Sequence, residues 1–431
     1  MRKGLLAVAV VLVLGAGAGT AVVLSRPSAD VTPTPTPTPS ATPYPTRTPL
    51  LTVGPAAPVP TQEGLRAALA AALRDKGLGA RVSLSVRDAV TGQELLDVLG
   101  DRAVTPASTA KLATAVALLA VRDQDDVLTT RVVAGARGEV VLVGGGDPRL
   151  TPADLARLAA QLRKAGTTAT RVVVDDTLFT GPVLGPAWKP SYVQHGDVAP
   201  VHALELDEGR RSDREGAPRA ADPALLAGHR FAQLVGARVV VRGTAPRGAR
   251  ELAHVDSPPL GTLVETMLTR SDNDLAEALG RQVALAARQP ATFAGVAAGT
   301  AAVLARLGVQ VALRDASGLS PQDRVSPAAL TALLVTAVKD PRFGPVLSGL
   351  PVGGFDGTLA DRFRSGPGGG VVRAKTGTLD GVSALAGLVR TRDGRLLAFD
   401  VTADGVRLGA TARAQRALDR VATVLASCGC R

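Results

Sequence analysis

Three short stretches of this 431-residue chain pair hydroxyls with lysines at spacings that suit chemistry. The first, TPASTAKLATA at 105–115, sets Lys111 three places after Ser108 in a run otherwise made of small apolar and hydroxyl residues. The chain holds seven lysines against forty-two arginines, so a lysine kept at this position stands out. A serine hydroxyl is a weak nucleophile until a neighbouring base takes its proton. A lysine serves as that base only when burial or nearby positive charge lowers its pKa. Alone, S-x-x-K also fits a solvated surface lysine. The second stretch is Ser271-Asp272-Asn273, between LGTLVETMLTR and DLAEALGRQVALAA. The third is Lys375-Thr376-Gly377-Thr378, after VVRA and before the turn LDG. Each has a plain reading too: a helix N-cap for the one, a strand-end turn for the other. In this order and these contexts the three read as one active site.

The surrounding pattern must position them. Pro106 precedes Ser108, and LATAVALLA comes after it; proline fits best in a helix's first turn, which puts Ser108 at or near a helix N-terminus. On a helix, positions i and i+3 share a face, so Ser108 and Lys111 point the same way. That end of a helix also favours a developing oxyanion. EGLRAALAAALRDKG (63–77) has helical spacing and a glycine stop, while RVSLSVRD and ELLDVLGD flank AVTGQ as a hairpin. RVVAG, GEVVLVGGG, RVVVDD and ARVVVRG are strand-like, around the helical TPADLARLAAQLRKAG. The amphipathic ATARAQRALDRVATVLA closes the chain.

With these motifs the chain resembles the D-alanyl-D-alanine carboxypeptidases/endopeptidases of penicillin-binding protein 4 type, in the low-molecular-mass class C group, from about 61 to about 425. VGGGDPRLT (143–151), DASGLS (315–320), GGFDGTLADRF and GVSALAGLVRTRDGRLLAFDV carry the resemblance beyond the three motifs. It implies an α+β fold: a β-lactamase/transpeptidase-like domain, its antiparallel sheet flanked by helices, with K-T-G-T on an inner strand and a smaller domain inserted between S-x-x-K and S-D-N. The expected organisation is 1–26 a signal peptide or membrane anchor, 27–60 a Pro/Thr-rich linker, 61–122 with 255–431 the catalytic domain, and 123–254 the insert. Within the insert, 181–220 reads as loop.

The resemblance also implies roles. Ser108 is the acyl-accepting nucleophile and Lys111 its base; Ser271 relays a proton to the leaving group, and Asn273 holds the substrate's peptide backbone. Lys375 keeps the site electropositive and helps keep Lys111 neutral. Thr376 and Thr378 bind the terminal carboxylate of the D-Ala-D-Ala stem peptide or of a β-lactam, which would be a covalent inhibitor. Gly377 leaves room for substrate along the strand, and the N–H groups of Ser108 and Thr378 form an oxyanion hole. A serine β-lactamase or esterase of the same fold is the nearest alternative, but no convincing E-x-x-x-N loop stands between the motifs to activate its water. A non-catalytic wall-binding protein would be expected to have lost a motif residue, and none is lost.

Composition narrows the partners. The net charge of +11 fits a polyanionic partner or a general arginine bias, and no Lys/Arg block interleaved with aromatics suggests nucleic acid. His195, His202, His229 and His254 match no compact zinc pattern, so neither metal nor cofactor is expected. Cys428 and Cys430 read as too close for an unstrained disulfide and too few for a metal cage. Arg2-Lys3 precedes the uncharged run Gly4–Leu24, long enough to span a bilayer, and the early charges predict export of the rest of the chain. The alternating prolines after it make an extended spacer, which keeps the enzyme outside the cytoplasm and membrane-held if the segment stays uncleaved.

Overall fold

Alternation along the strands sets up two cores on the two faces of one sheet. In this computed structural model, which describes residues 57–431 except 213 and 215, the expected hairpin forms from β1 (Val82–Asp88) and β2 (Glu94–Val98). The Gly4–Leu24 run and the spacer as far as 56 lie outside the described residues. The sheet is completed from the far end of the chain by β10 (Val372–Leu379), β11 (Val382–Arg390) and β12 (Leu396–Ala403). Its order is β10-β11-β12-β1-β2, antiparallel throughout. Every residue of β12 is buried. Leu396 and Ala398 face the core shared with the helices Ala110–Val121 and Pro327–Lys339, while Leu397, Phe399 and Val401 face the one shared with Gln62–Leu73 and Thr411–Ser427. A strand covered by helices on both sides reads as an unbroken apolar run for this reason. In the closing helix, Ala414, Leu418, Val421 and Leu425 recur at helical spacing and are the buried face.

K-T-G-T does not lie on an inner strand. β10 is the sheet's edge, paired only with β11 among the named strands. An edge keeps one row of backbone N–H and C=O groups open for an extended peptide, which an inner strand cannot do.

A second five-stranded sheet comes from the chain between Thr129 and Asp256. Its strands are β3 (Thr129–Ala134), β4 (Glu139–Val143), β6 (Arg171–Asp175), β8 (Val239–Arg242) and β9 (Glu251–Asp256), in the order β8-β6-β4-β3-β9. β8, β6 and β4 run parallel, and β3 is antiparallel to both its neighbours. Parallel neighbours need crossovers. One uses the expected helix Pro152–Lys164, started by a Thr151–Asp154 capping box; the other uses Pro223–Val235, which the sequence pattern does not bring out. The segment 181–220 is indeed mostly irregular, with a short helix at Ser191–His195 and the strand β7 (Leu204–Leu206), parallel to β5 (Asp147–Leu150).

Cys428 and Cys430 are disulfide-bonded, against expectation. Cys428 leaves the last helix with extended dihedrals, and the two Cα atoms stand 5.1 Å apart, within the span a disulfide bridges. Among the described residues no helix is long and apolar enough to cross a membrane.

A buried ion pair ties β1 to the start of β12, where the early and late parts of the chain meet in the sheet. Asp88, fully buried, accepts from the N–H groups of Val90 and Thr91 at 2.8 and 3.0 Å and from Arg395 Nε at 2.6 Å. It thus fixes the β1–β2 turn against the β11–β12 turn. Arg395→Ala strands that carboxylate, and we expect a loss of about 3–5 kcal/mol in denaturant unfolding. A change below about 1 kcal/mol, the level of an exposed pair, would contradict this account of the sheet.

Candidate active site

The turn that carries Ser108 is bent before the helix begins. Ala107 has φ 49°, a left-handed conformation unusual for a residue with a side chain, and a 3₁₀ turn Ala107–Thr109 runs straight into Ala110–Val121. Thr109 closes the turn by donating through its hydroxyl to the Pro106 carbonyl at 2.7 Å. Ser108 therefore stands at the helix N-terminus, partly exposed, and Lys111 lies fully buried one turn on.

Lys111 Nζ has three partners: Ser108 Oγ at 3.0 Å, Asn273 Oδ1 at 2.7 Å and the Ser317 carbonyl at 2.7 Å. Asn273 donates its Nδ2 to the Asp197 carbonyl at 2.8 Å, which orients the amide with Oδ1 toward the lysine. Two of the partners can only accept; Ser108 can also donate. A neutral amine, with two hydrogens and one lone pair, fits this set by donating to Asn273 and Ser317 and accepting the Ser108 proton.

Ser317 sits in the DASGLS turn. Asp315 Oδ1 accepts from Gly318 N, and its Oδ2 from Ser320 N and Trp188 Nε1, each at 2.7 Å. Glu277, buried on the helix Asn273–Ala286, accepts from Ala316 N and Ser317 N at 3.1 and 2.9 Å. Gly318 has φ +81°, and a Cβ there would lie 2.0 Å from the Ala107 carbonyl oxygen. The sequence marks DASGLS as part of the resemblance without giving it a task; its glycine is the available signal of a close approach.

Ser271 terminates the helix Leu260–Arg270 in the left-handed region (φ 60°, ψ 36°), and Asp272 caps the next helix by accepting from Leu275 N at 2.9 Å. That turn aims Ser271 Oγ at Lys375 Nζ, 2.8 Å away. Lys375 is fully buried and donates also to the Thr376 carbonyl at 2.8 Å. Thr376 Oγ1 donates to Thr358 Oγ1 at 2.9 Å, and the exposed Thr378 hydroxyl accepts from Gln415 Nε2 at 3.4 Å. The structure thus gathers Ser108, Lys111, Asn273 and the Ser317 carbonyl into one hydrogen-bonded group, and Ser271 and Lys375 into another. Beside Ser271 a cleft of about 1040 Å³ opens between Arg149, His195, Glu208 and Arg270.

Two expectations change. Burial pushes Lys111 down to about 8, against the upward pull of Asp315, Asp272, Glu277 and Asp274. Lys375 is held well below its ordinary range, by burial first and then by the Lys111 charge. Desolvation, not the Lys375 cation, therefore does most to neutralise Lys111. Gly377, in turn, does not face open space. A Cβ there would stand 2.6 Å from the Pro106 carbonyl oxygen and 3.3 Å from Ala107 Cβ, so its missing side chain lets β10 press against the turn that carries Ser108. Of the histidines, His195 lines the cleft beside Ser271, while His202 Nδ1 pairs with Asp176 at 2.6 Å and His254 Nδ1 with Glu251 at 2.8 Å.

Residues 65–215 and 211–425 match the D-Ala-D-Ala carboxypeptidase 3 (S13) family. The chain belongs to that family. It is 38% identical over 412 residues to a carboxypeptidase of Mycobacterium tuberculosis, covering 88% of this chain and 87% of that one. It is 36% identical over 418 residues to the carboxypeptidase DacB of Mycolicibacterium smegmatis, covering 90% of each. Among solved structures, penicillin binding protein 4 of Haemophilus influenzae superposes with a TM-score of 0.71 at 24% identity, over 82% of this chain and 97% of that one, and shares the fold. This S13 enzyme is a serine-type D-Ala-D-Ala carboxypeptidase, of a family that acts on peptidoglycan in the cell envelope.

In this carboxypeptidase the contact between Gly377 and Pro106 is open to test. Gly377→Ala should slow covalent labelling by penicillin at least tenfold and cost about 1–3 kcal/mol of stability, since either the strand or the turn that carries Ser108 must shift. Labelling at the wild-type rate would show that the contact does not position Ser108.

Proposed function

We propose that this enzyme releases the terminal D-alanine of stem peptides, and cleaves D-Ala cross-links, through an acyl-enzyme on Ser108 with Lys111 as general base. The observation that carries the reading is the placement of Lys111 Nζ 3.0 Å from Ser108 Oγ, with acceptors filling its other two hydrogen-bond directions. Ser108 Oγ attacks the carbonyl carbon of the penultimate D-Ala as its proton passes to Lys111. The oxyanion is held by the N–H groups of Ser108 and Thr378 at the helix N-terminus and the edge strand. The proton then moves from Lys111 to the leaving amine, with Ser271 as relay. Collapse breaks the C–N bond and frees D-Ala. Lys375, Thr376 and Thr378 receive the substrate's terminal carboxylate; Asn273, now between Lys111 and Asp197, meets the peptide backbone by exchanging its Asp197 contact. Water, deprotonated by Lys111, adds to the acyl carbon and returns Ser108.

A penicillin acylates the same serine, but its leaving amine stays tethered and obstructs the water. This favours the peptidase over a β-lactamase, whose penicilloyl-enzyme would turn over quickly. We also take residues 123–254 as an inserted domain, with its end moved to Asp256 because β9 runs to that residue, on the strength of its own sheet and its own apolar core around Leu155, Val172 and Phe231. The Gly4–Leu24 run supports export, with the protein anchored or released by cleavage; N-terminal sequencing of envelope fractions separates the two.

Two measurements test the mechanism. Ser108→Ala should fold as the wild type yet take up no fluorescent penicillin; labelling of the folded variant would remove Ser108 from its role. Wild-type enzyme should release D-alanine from stem pentapeptide while its penicilloyl-enzyme persists for minutes. Rapid penicillin turnover without D-alanine release would make it a β-lactamase.

A further inference from the structure

Asp272, Asn273 and Asp274 are each held by the segment 197–219, to which the catalytic steps give no task. The Asp197 carbonyl accepts from Asn273 Nδ2. Ala199 N donates to Asp274 Oδ1 at 2.6 Å, and the buried Arg219 lies 2.8 Å from Asp274 Oδ2. Glu208, 5% exposed, reaches Asp272: carboxylate oxygens of Glu208, Asp272 and Asp274 lie within 4.8 Å of one another. Carboxyl groups this close and this shielded from water do not all ionise together, so the cluster retains a proton. The backbone that delivers Glu208 is itself unusual, with Asp207 (φ 48°) and Glu208 (φ 56°) both left-handed. Non-glycine residues held there mark a conformation that the surroundings impose.

We propose that Glu208 and Asp272 share a single proton, with the charge on Glu208, and that Glu208 in this way keeps Asp272 neutral and Lys111 free to act as base. Glu208 is a positioning residue: it acts through Asp272. The inference rests on the assignment of Lys111 as the base. The charged groups around the pair favour this distribution. Glu208 faces Arg210, with which it is paired, and Arg149 and Arg219, each 3.7 Å away. Asp272 faces Glu208, Asp274 and the Leu275 N–H, with Arg210 and Lys111 acting on it only through space and neither of them ion-paired to it. Glu205, buried behind them, faces Asp274, Glu208 and Arg219. Arg219 supplies the positive charge that a bound cation would otherwise bring. Burial, then the Glu208 and Asp274 charges, push Asp272 up to about 8; Glu208 is held below its usual range against burial, by the neighbouring Asp272 and by Arg210. Asp272 and Asp274 are among the carboxylates that pull on Lys111. Moving the pair's one negative charge from Glu208 to Asp272 therefore brings it nearer the base and raises the pKa of Lys111.

The test is the pH dependence of the second-order rate of penicillin acylation, using the full chain. Acylation needs neutral Lys111, so the wild-type rate rises with pH to a plateau. Glu208→Gln leaves Asp272 to ionise. The rising limb should move to higher pH, with acylation about tenfold slower on its acid side and equal to the wild type on the plateau. Asp272→Asn keeps the cap on Leu275 and is permanently neutral, so its limb should stay where the wild type has it. A Glu208→Gln profile that superimposes on the wild type, or falls evenly at every pH as from a structural defect, overturns the inference. So does an Asp272→Asn limb displaced to lower pH, which would mean that Asp272 is charged in the wild type; this arm decides even if Glu208→Gln does not fold. Failure of the base assignment shows separately, as acylation that Lys111→Ala leaves intact, and would take this inference with it.

Discussion

A lysine amine enclosed by protein is the constraint on which the rest of the site depends. An ammonium at Lys111 would need all of its three hydrogens bonded and its charge compensated; a neutral amine needs two acceptors and one donor. The surroundings satisfy either form, since Ser108 can accept from the ammonium or donate to the amine, and burial is what favours the amine. The partners come from three distant parts of the chain: Ser108 from a helix start, Asn273 from a helix–helix turn, Ser317 from a loop more than two hundred places after Ser108. Each is fixed by further buried polar groups, Asp315 and Glu277 on one side and the segment 197–219 on the other. The acids around the site oppose the neutral lysine, and burial overrides them. This explains how an enzyme rich in carboxylates near its base still lowers that base's pKa to about 8, which leaves a usable neutral fraction near neutral pH.

The sheet supplies the second half. β10 is an edge whose outer backbone is bridged by residues 351–353 as far as Ala374 and free of other strands beyond it, and it is tied in place along one side by β11 and at Gly377 by the turn that carries Ser108. The same strand brings Lys375 to Ser271. Ser108 and the edge strand are joined by backbone packing at Gly377, and Ser271 is joined to the strand by the buried Lys375 side chain, which suits a reaction that needs its groups held near the attack geometry.

Much of this is legible in the sequence where the signal is local. The β1–β2 hairpin, the helix after Pro106 and the closing amphipathic helix all come from spacing within one element. The three motifs, read together, name the groups that meet. Long-range facts are not legible in this way. Whether K-T-G-T lies on an edge depends on which strand, if any, pairs beyond it, and local residues cannot say. Gly377 looks like space for substrate because the Pro106 carbonyl that it accommodates lies more than two hundred and fifty residues away in sequence. Lys375 is the obvious charge to depress Lys111, since burial is invisible until the fold closes over the site. Glu208 and Asp197 sit in a segment that reads as loop, and their contacts with the S-D-N turn come from tertiary packing alone. The terminal disulfide escapes a reading by sequence separation, because the backbone path between the two cysteines decides whether they can meet.

The central claim is that burial against Ser108 lowers the pKa of Lys111 far enough for it to act as a base near neutral pH. With seven lysines in the chain, ¹⁵N-lysine labelling and a pH titration by NMR can follow its Nζ directly, assigned by loss of the resonance in Lys111→Ala. The account predicts a midpoint near 8. A Lys111 Nζ that titrates with exposed lysines, near 10.4, would contradict it.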